Sequence, residues 1–117
     1  MSLASHAIEF GPDTGIGPEL RCPRCNCLSL HHGRVTVFDR GEDDELTTVT
    51  TVAAGMSASH LRPSTGAGNP SGRRDGIAIA FDCEECGAGI ELTLAQHKGV
   101  TALAWRFEPK QLKESAA

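Results

Sequence analysis

The chain contains no tyrosine. Only five of its 117 residues are aromatic: Phe10, Phe38, Phe81, Phe107 and Trp105. Proteins that grip single-stranded nucleic acid usually stack bases on such rings, so an aromatic stacking platform is not expected. Positive charge is not in excess either. The formal net charge is −4, whereas a nucleic-acid-coating protein is usually basic, and any such contact has to come from a local patch. Long apolar runs are missing. The longest, "IAIAF" at residues 77–81, falls far short of the roughly 20 residues of a membrane helix, so no membrane partner is expected. The opening "MSLASHAIEF" has neither a basic start nor an apolar stretch, and no secretory signal is read there. Asn69 is followed by Pro70, which rules out glycosylation. "GPDTGIG" has phosphate-loop spacing but no Gly-Lys-Ser/Thr ending, so it reads as an ordinary loop. The expected compartment is reducing cytoplasm.

Cysteine is what the chain does have, in two groups. Residues 20–27, "LRCPRCNC", hold Cys22, Cys25 and Cys27. Then "FDCEECG" supplies Cys83 and Cys86. An odd count argues against a complete disulfide framework, and close cysteine pairs in a reducing compartment bind metal or do redox work. Two C-x-x-C pairs in one short chain point to a tetrahedral four-sulfur site made by Cys22, Cys25, Cys83 and Cys86. Each pair belongs on a tight knuckle with backbone N–H groups aimed at sulfur. Pro23 fixes φ early in the first knuckle. The residue after each second cysteine must tolerate left-handed geometry. Asn26 and Gly87 stand there, the two residue types that do so most readily.

"CPRCN…CEECG" resembles the paired knuckles of zinc ribbons, over the four cysteines, Asn26, Gly87 and the β-rich flanks. The gap between the pairs is longer than in a minimal ribbon. "GNPSGRRDG" and "QHKGVT" are also similar to stretches of small bacterial zinc-ribbon proteins, a likeness that implies no particular activity. The ribbon resemblance implies a structural Zn2+. Iron is the rival metal, because rubredoxin-type knuckles use the same cage. Rubredoxins usually pack aromatic rings around iron, and this chain has few. "CPRC" also looks like the Cys-Pro-x-Cys of thiol oxidoreductases, but that chemistry needs a helix after the first cysteine, and here a strand is read. A zinc deaminase is excluded, because no His-x-Glu precedes a Pro-Cys-x-x-Cys. Cys27 reads as a small buried hydrophobe. Adjacent His31 and His32 would face opposite sides of a strand. They, His6, His60 and His97 are not read as ligands.

The fold class expected is all-β: a small antiparallel sheet of about five strands with a zinc-ribbon-like four-cysteine site and a long Gly/Ser/Pro-rich loop. Residues 28–39 alternate in two phases, which a bulge at Gly33 would bring onto one face. "LTTVTTVA" at residues 46–53 is β-branched, and the acidic turn "EDDE" would close a hairpin with a solvated tip. Ile77, Ile79 and Phe81, then Ile90, Leu92 and Leu94, then Leu103, Trp105 and Phe107 alternate inward, with Glu91 and Thr93 outward. Gly99 is read in the turn of the last hairpin. Residues 1–20 read as a flexible arm, 21–108 as the domain and 109–117 as a tail. Residues 54–76 read as one long mobile loop.

No convergent acid, base and nucleophile are visible, so catalysis is not expected. The function expected is a zinc-stabilised binding module that meets a protein partner or a second copy of itself. The alternatives are a nucleic-acid-binding ribbon using a basic loop, with Arg62, Arg73, Arg74 and Lys98 as possible anion contacts, and a rubredoxin-like iron or thiol-redox protein.

Overall fold

The computed structural model describes residues 8–13, 15–87 and 89–107. The expected C-terminal tail and the first seven residues of the arm lie outside them. No helix occurs among the described residues. A two-stranded arm comes first, β1 (Phe10–Asp13) and β2 (Pro18–Leu20). Six strands follow: β3 (Leu30–Asp39), β4 (Leu46–Ala53), β5 (Met56–Pro63), β6 (Gly76–Cys83), β7 (Gly89–His97) and β8 (Val100–Phe107). They form one antiparallel sheet in the order β5-β4-β3-β6-β7-β8.

The bulge anticipated at Gly33 is present. Pairing of β3 with β6 passes from His32↔Phe81 to Val35↔Ile79. Gly33 and Arg34 therefore oppose Ala80 alone. The extra residue restores Leu30 and Val35 to one face, as a bulge does. It also aims Arg34 at the other face.

Residues paired directly across an antiparallel ladder share a face. Trp105, Leu92, Ile79, Val35 and Val52 form one cross-strand row. Leu103, Leu94, Ile77 and Val37 form the next. This is the knuckle face. Its buried cluster joins Cys22, Cys83, Ile90, Leu92 and Trp105, with Leu20 and Ile8 from the N-terminal arm packed against it. The arm covers only one end. Val37, Val52 and Leu103 remain 39%, 48% and 48% exposed.

The opposite face is lined by small residues, among them Gly76, Ala78, Ala80 and Ala95. Residues 64–75 lie across it. Ser71 Oγ donates to the Gln96 carbonyl at 2.7 Å, and Arg106 Nη2 to the Gly68 carbonyl at 2.7 Å. The approach is close enough that a Cβ on Gly76 would fall 2.1 Å from Asn69 Oδ1. Beneath the loop a second buried cluster forms from Phe38, Val49 and Ala78. Glu91 and Thr93, expected in solvent, do point away from the knuckle face, but the loop buries them to 6% and 5% exposure.

The reading of residues 54–76 as a single loop is corrected. β5 occupies Met56–Pro63 and pairs with β4 along its whole length. Ala54 and Gly55 make the turn, with φ of +53° and +79°, the two left-handed residues of a type I′ hairpin. The arm, expected to be irregular, contains β1 and β2. The β7–β8 turn is as expected, with Lys98 and Gly99 at φ +51° and +83°.

Candidate metal centre

Two knuckles carry the site. The first lies between β2 and β3, the second between β6 and β7. Each closes in the same way. The Asn26 N–H donates to the Cys22 carbonyl at 2.9 Å, and the Gly87 N–H to the Cys83 carbonyl at 2.9 Å. Asn26 has φ +69° and Gly87 φ +71°, the left-handed geometry that their residue types permit. Backbone N–H groups face sulfur, from Arg24 to Cys22 Sγ at 3.4 Å and from Cys86 to Cys83 Sγ at 3.5 Å. The β3–β6 pairing brings the knuckles together. Leu30 opposes Cys83, and the Glu84 N–H donates to the Ser29 carbonyl at 3.0 Å.

The sulfurs of Cys22, Cys25, Cys83 and Cys86 all lie within 4.8 Å of one another. Across the knuckles, Cys22 to Cys86 is 3.8 Å and Cys25 to Cys83 is 3.4 Å. A tetrahedral ion with metal–sulfur bonds of about 2.3 Å would separate its sulfurs by about 3.8 Å. The four predicted ligands are therefore brought together at a spacing that fits a metal ion. The first cysteine of each pair is buried and the second exposed.

Charge explains why such a cluster calls for a cation. Burial pushes the Cys83 thiol up, but the Cys86 N–H, the Cys27 and Cys25 thiols and the Glu85 N–H bring it down to about 6. For Cys25, the Cys27 N–H acts to lower the value. Desolvation and the thiols of Cys83, Cys27 and Cys86 outweigh it and hold Cys25 well above the ordinary thiol range. One thiolate can exist here by accepting from its neighbours. Four can do so only around a positive ion.

Cys27 sits half-buried beside the cage, its sulfur 3.1 Å from Cys83 Sγ, but it is not one of the four mutually close ligands. Its carbonyl accepts from the Cys22 N–H at 2.8 Å and helps shape the first knuckle. The chain's few aromatics are concentrated nearby. Trp105, Phe81 and Phe107 all belong to the cluster around Cys22 and Cys83, with Phe81 edge-on to Trp105 at 5.6 Å. The scarcity of aromatic residues therefore does not count against iron. Among the histidines, His31 pairs with Glu84 on the surface.

The four possible anion contacts are dispersed. Arg73 binds the acidic turn, with Nη2 2.6 Å from Glu42 and 3.1 Å from Asp43. Arg74 Nη1 lies 3.9 Å from Glu42. The acidic tip is exposed, as expected, and it also fastens residues 73–74 to the β3–β4 turn. Lys98 is in the β7–β8 turn. Arg62, on β5, faces a cleft, and the guanidiniums beside it there are those of Arg34 and Arg106, which sequence reasoning did not single out. The one sequence signal for Arg34 was the Gly33 bulge beside it.

Comparison with protein-family models, curated proteins and solved structures found no match to this chain. No helix among the described residues is long and apolar enough to cross a membrane.

Proposed function

We propose that this chain is a zinc-stabilised binding module without catalytic activity, whose partner is a protein surface, a second copy of the chain included. Four thiolates complete the coordination of a tetrahedral ion and leave no position for water or substrate. Such a cage contributes folding energy instead. Apparent binding energies of about 10–16 kcal/mol match or exceed the stability of a small domain. Iron fits the same four-sulfur geometry. The purified protein's colour and metal content separate the two. The thiol-redox reading has less support, since a strand and not a helix follows the first knuckle.

The observation that carries the binding role is the uncovered end of the knuckle face. Val37, Val52 and Leu103 belong to two continuous apolar rows, and Leu46 and Leu61 stand apart from them on the same face, at 55% and 65% exposure. Contiguous exposed apolar surface of this kind marks contact sites. The neighbouring edge strand β5 is exposed at every residue and offers backbone groups to a further strand. Sedimentation velocity over a concentration series tests the self-associating form. The metal-loaded chain is expected to dimerise, and Val37→Lys with Leu103→Lys is expected to keep its metal and remain monomeric. A wild-type chain that stays monomeric throughout contradicts it.

A further inference from the structure

The face opposite the cage carries a cleft of about 530 Å³ between the sheet and residues 66–68 of the crossing loop. Arg34 on β3, Arg62 on β5 and Arg106 on β8 line it, with Glu91 on β7 as its carboxylate. Three guanidiniums and one carboxylate thus line this cleft, in a chain whose net charge is −4. That concentration of positive charge is local and not a background of the composition.

Glu91 organises the cluster. Its buried carboxylate accepts from Arg106 Nε at 2.6 Å and from Arg34 Nη2 at 3.4 Å. Arg106 also donates to the Gly68 carbonyl, so the same residue holds the roof. The guanidiniums of Arg34 and Arg106 are thereby oriented in advance, which reduces the ordering that binding requires. On the outer wall, the Arg62 and His60 side chains have no hydrogen-bond or ion-pair partner among the described residues. Phe38, 4% exposed, lies at the floor.

From this geometry we infer that the cleft binds a small organic phosphate ester. A phosphate monoester carries about −1.5 to −2 charge at neutral pH, a sign that suits a lining in which guanidiniums outnumber carboxylates. Planar guanidiniums suit its oxygens. The volume lies in the range of small-molecule sites, roughly 300–1,000 Å³. The phosphate would meet Arg62 and Arg34, and its organic part would rest on Phe38. The cleft and the cage lie on opposite faces, so this site and the proposed protein contact can fail independently.

Titration calorimetry on the metal-loaded full chain tests the inference, with adenosine 5′-monophosphate, inorganic phosphate and a 5′-phosphorylated oligonucleotide as probes. The nucleotide is expected to saturate one site and to bind more tightly than inorganic phosphate. Arg62→Ala is expected to weaken it about tenfold or more, since a charge-assisted contact is lost. Arg73→Ala, which touches the acidic turn and not the cleft, is expected to leave it unchanged. Amide shifts at Gly66, Gly68 and Thr36 on adding the nucleotide to the wild-type chain locate the site without any variant. No saturation, equal weakening by Arg62→Ala and Arg73→Ala, or shifts confined to other residues would overturn the site. Equal affinity for nucleotide and inorganic phosphate overturns the role of the organic part. An oligonucleotide that binds more tightly than the nucleotide, by a margin that grows with its length, overturns the small-molecule ligand in favour of a nucleic-acid surface.

Discussion

Asn26 and Gly87 occupy equivalent places in the two knuckles, at φ +69° and +71°, and each donates back to the first cysteine of its pair. A side chain with a Cβ meets a steric penalty in this region of roughly 1–2 kcal/mol. Gly87→Ala should therefore lower stability by about that amount, while Asn26→Gly should be tolerated. Denaturant melts of the two variants at fixed metal concentration read the difference. The five thiols should also separate. Serine at Cys22, Cys25, Cys83 or Cys86 should abolish stoichiometric metal binding, whereas Cys27→Ser should retain it, because Cys27 stands outside the mutually close four. This part of the site was legible in the sequence because it depends on local chain geometry: a two-residue spacing and a residue able to turn left-handed. The cleft was not legible. Arg34, Glu91 and Arg106 meet only through strand register and the Gly33 bulge, and neither fixes a partner until the strand order is known.

Among the elements, β5 shows why one strand escaped the sequence reading. "MSASHLRP" has no apolar face to alternate, and all eight residues are exposed. Its pairing to β4 rests on backbone hydrogen bonds and on the Thr50–Ser59 hydroxyl pair at 2.7 Å, which leave no periodic apolar trace. Its turn is also atypical, with Ala54 at φ +53° where Asn or Asp is preferred. Ala54→Asn should stabilise the hairpin by a few tenths of a kcal/mol up to about 1 kcal/mol, read as a raised melting temperature. The central strands were legible on one face only. Their large apolar residues mark the knuckle face, while the intervening alanines and Gly76 mark a surface that another segment approaches closely. A Cβ at Gly76 would meet Asn69 and Pro70 at 2.1 and 2.9 Å. Gly76→Ala should cost about 1–3 kcal/mol through overpacking, and thermal melts of the metal-loaded variant check it.

At the scale of the whole molecule, one thin six-stranded sheet separates two unlike faces. The knuckle face holds the cage and leaves apolar rows open; the loop face holds the charged cleft. Neither buried cluster is large, so metal removal should unfold the chain and not merely loosen the knuckles. The chain's single tryptophan, Trp105, is 1% exposed in the cluster beside Cys22 and Cys83. Its emission should shift to the red on chelation and return on adding zinc. Acidification should have the same effect, because thiolate ligands must lose their protons to bind and regain them as pH falls.

The central claim is that four cysteines from two distant knuckles close around one metal ion. Elemental analysis, per chain, of the wild type and the five single Cys→Ser variants tests it most directly. The expected result is about one zinc per chain in the wild type and in Cys27→Ser, and loss in the other four. A metal-free wild type with five freely titrating thiols, or a Cys27→Ser variant that loses its metal, would contradict it.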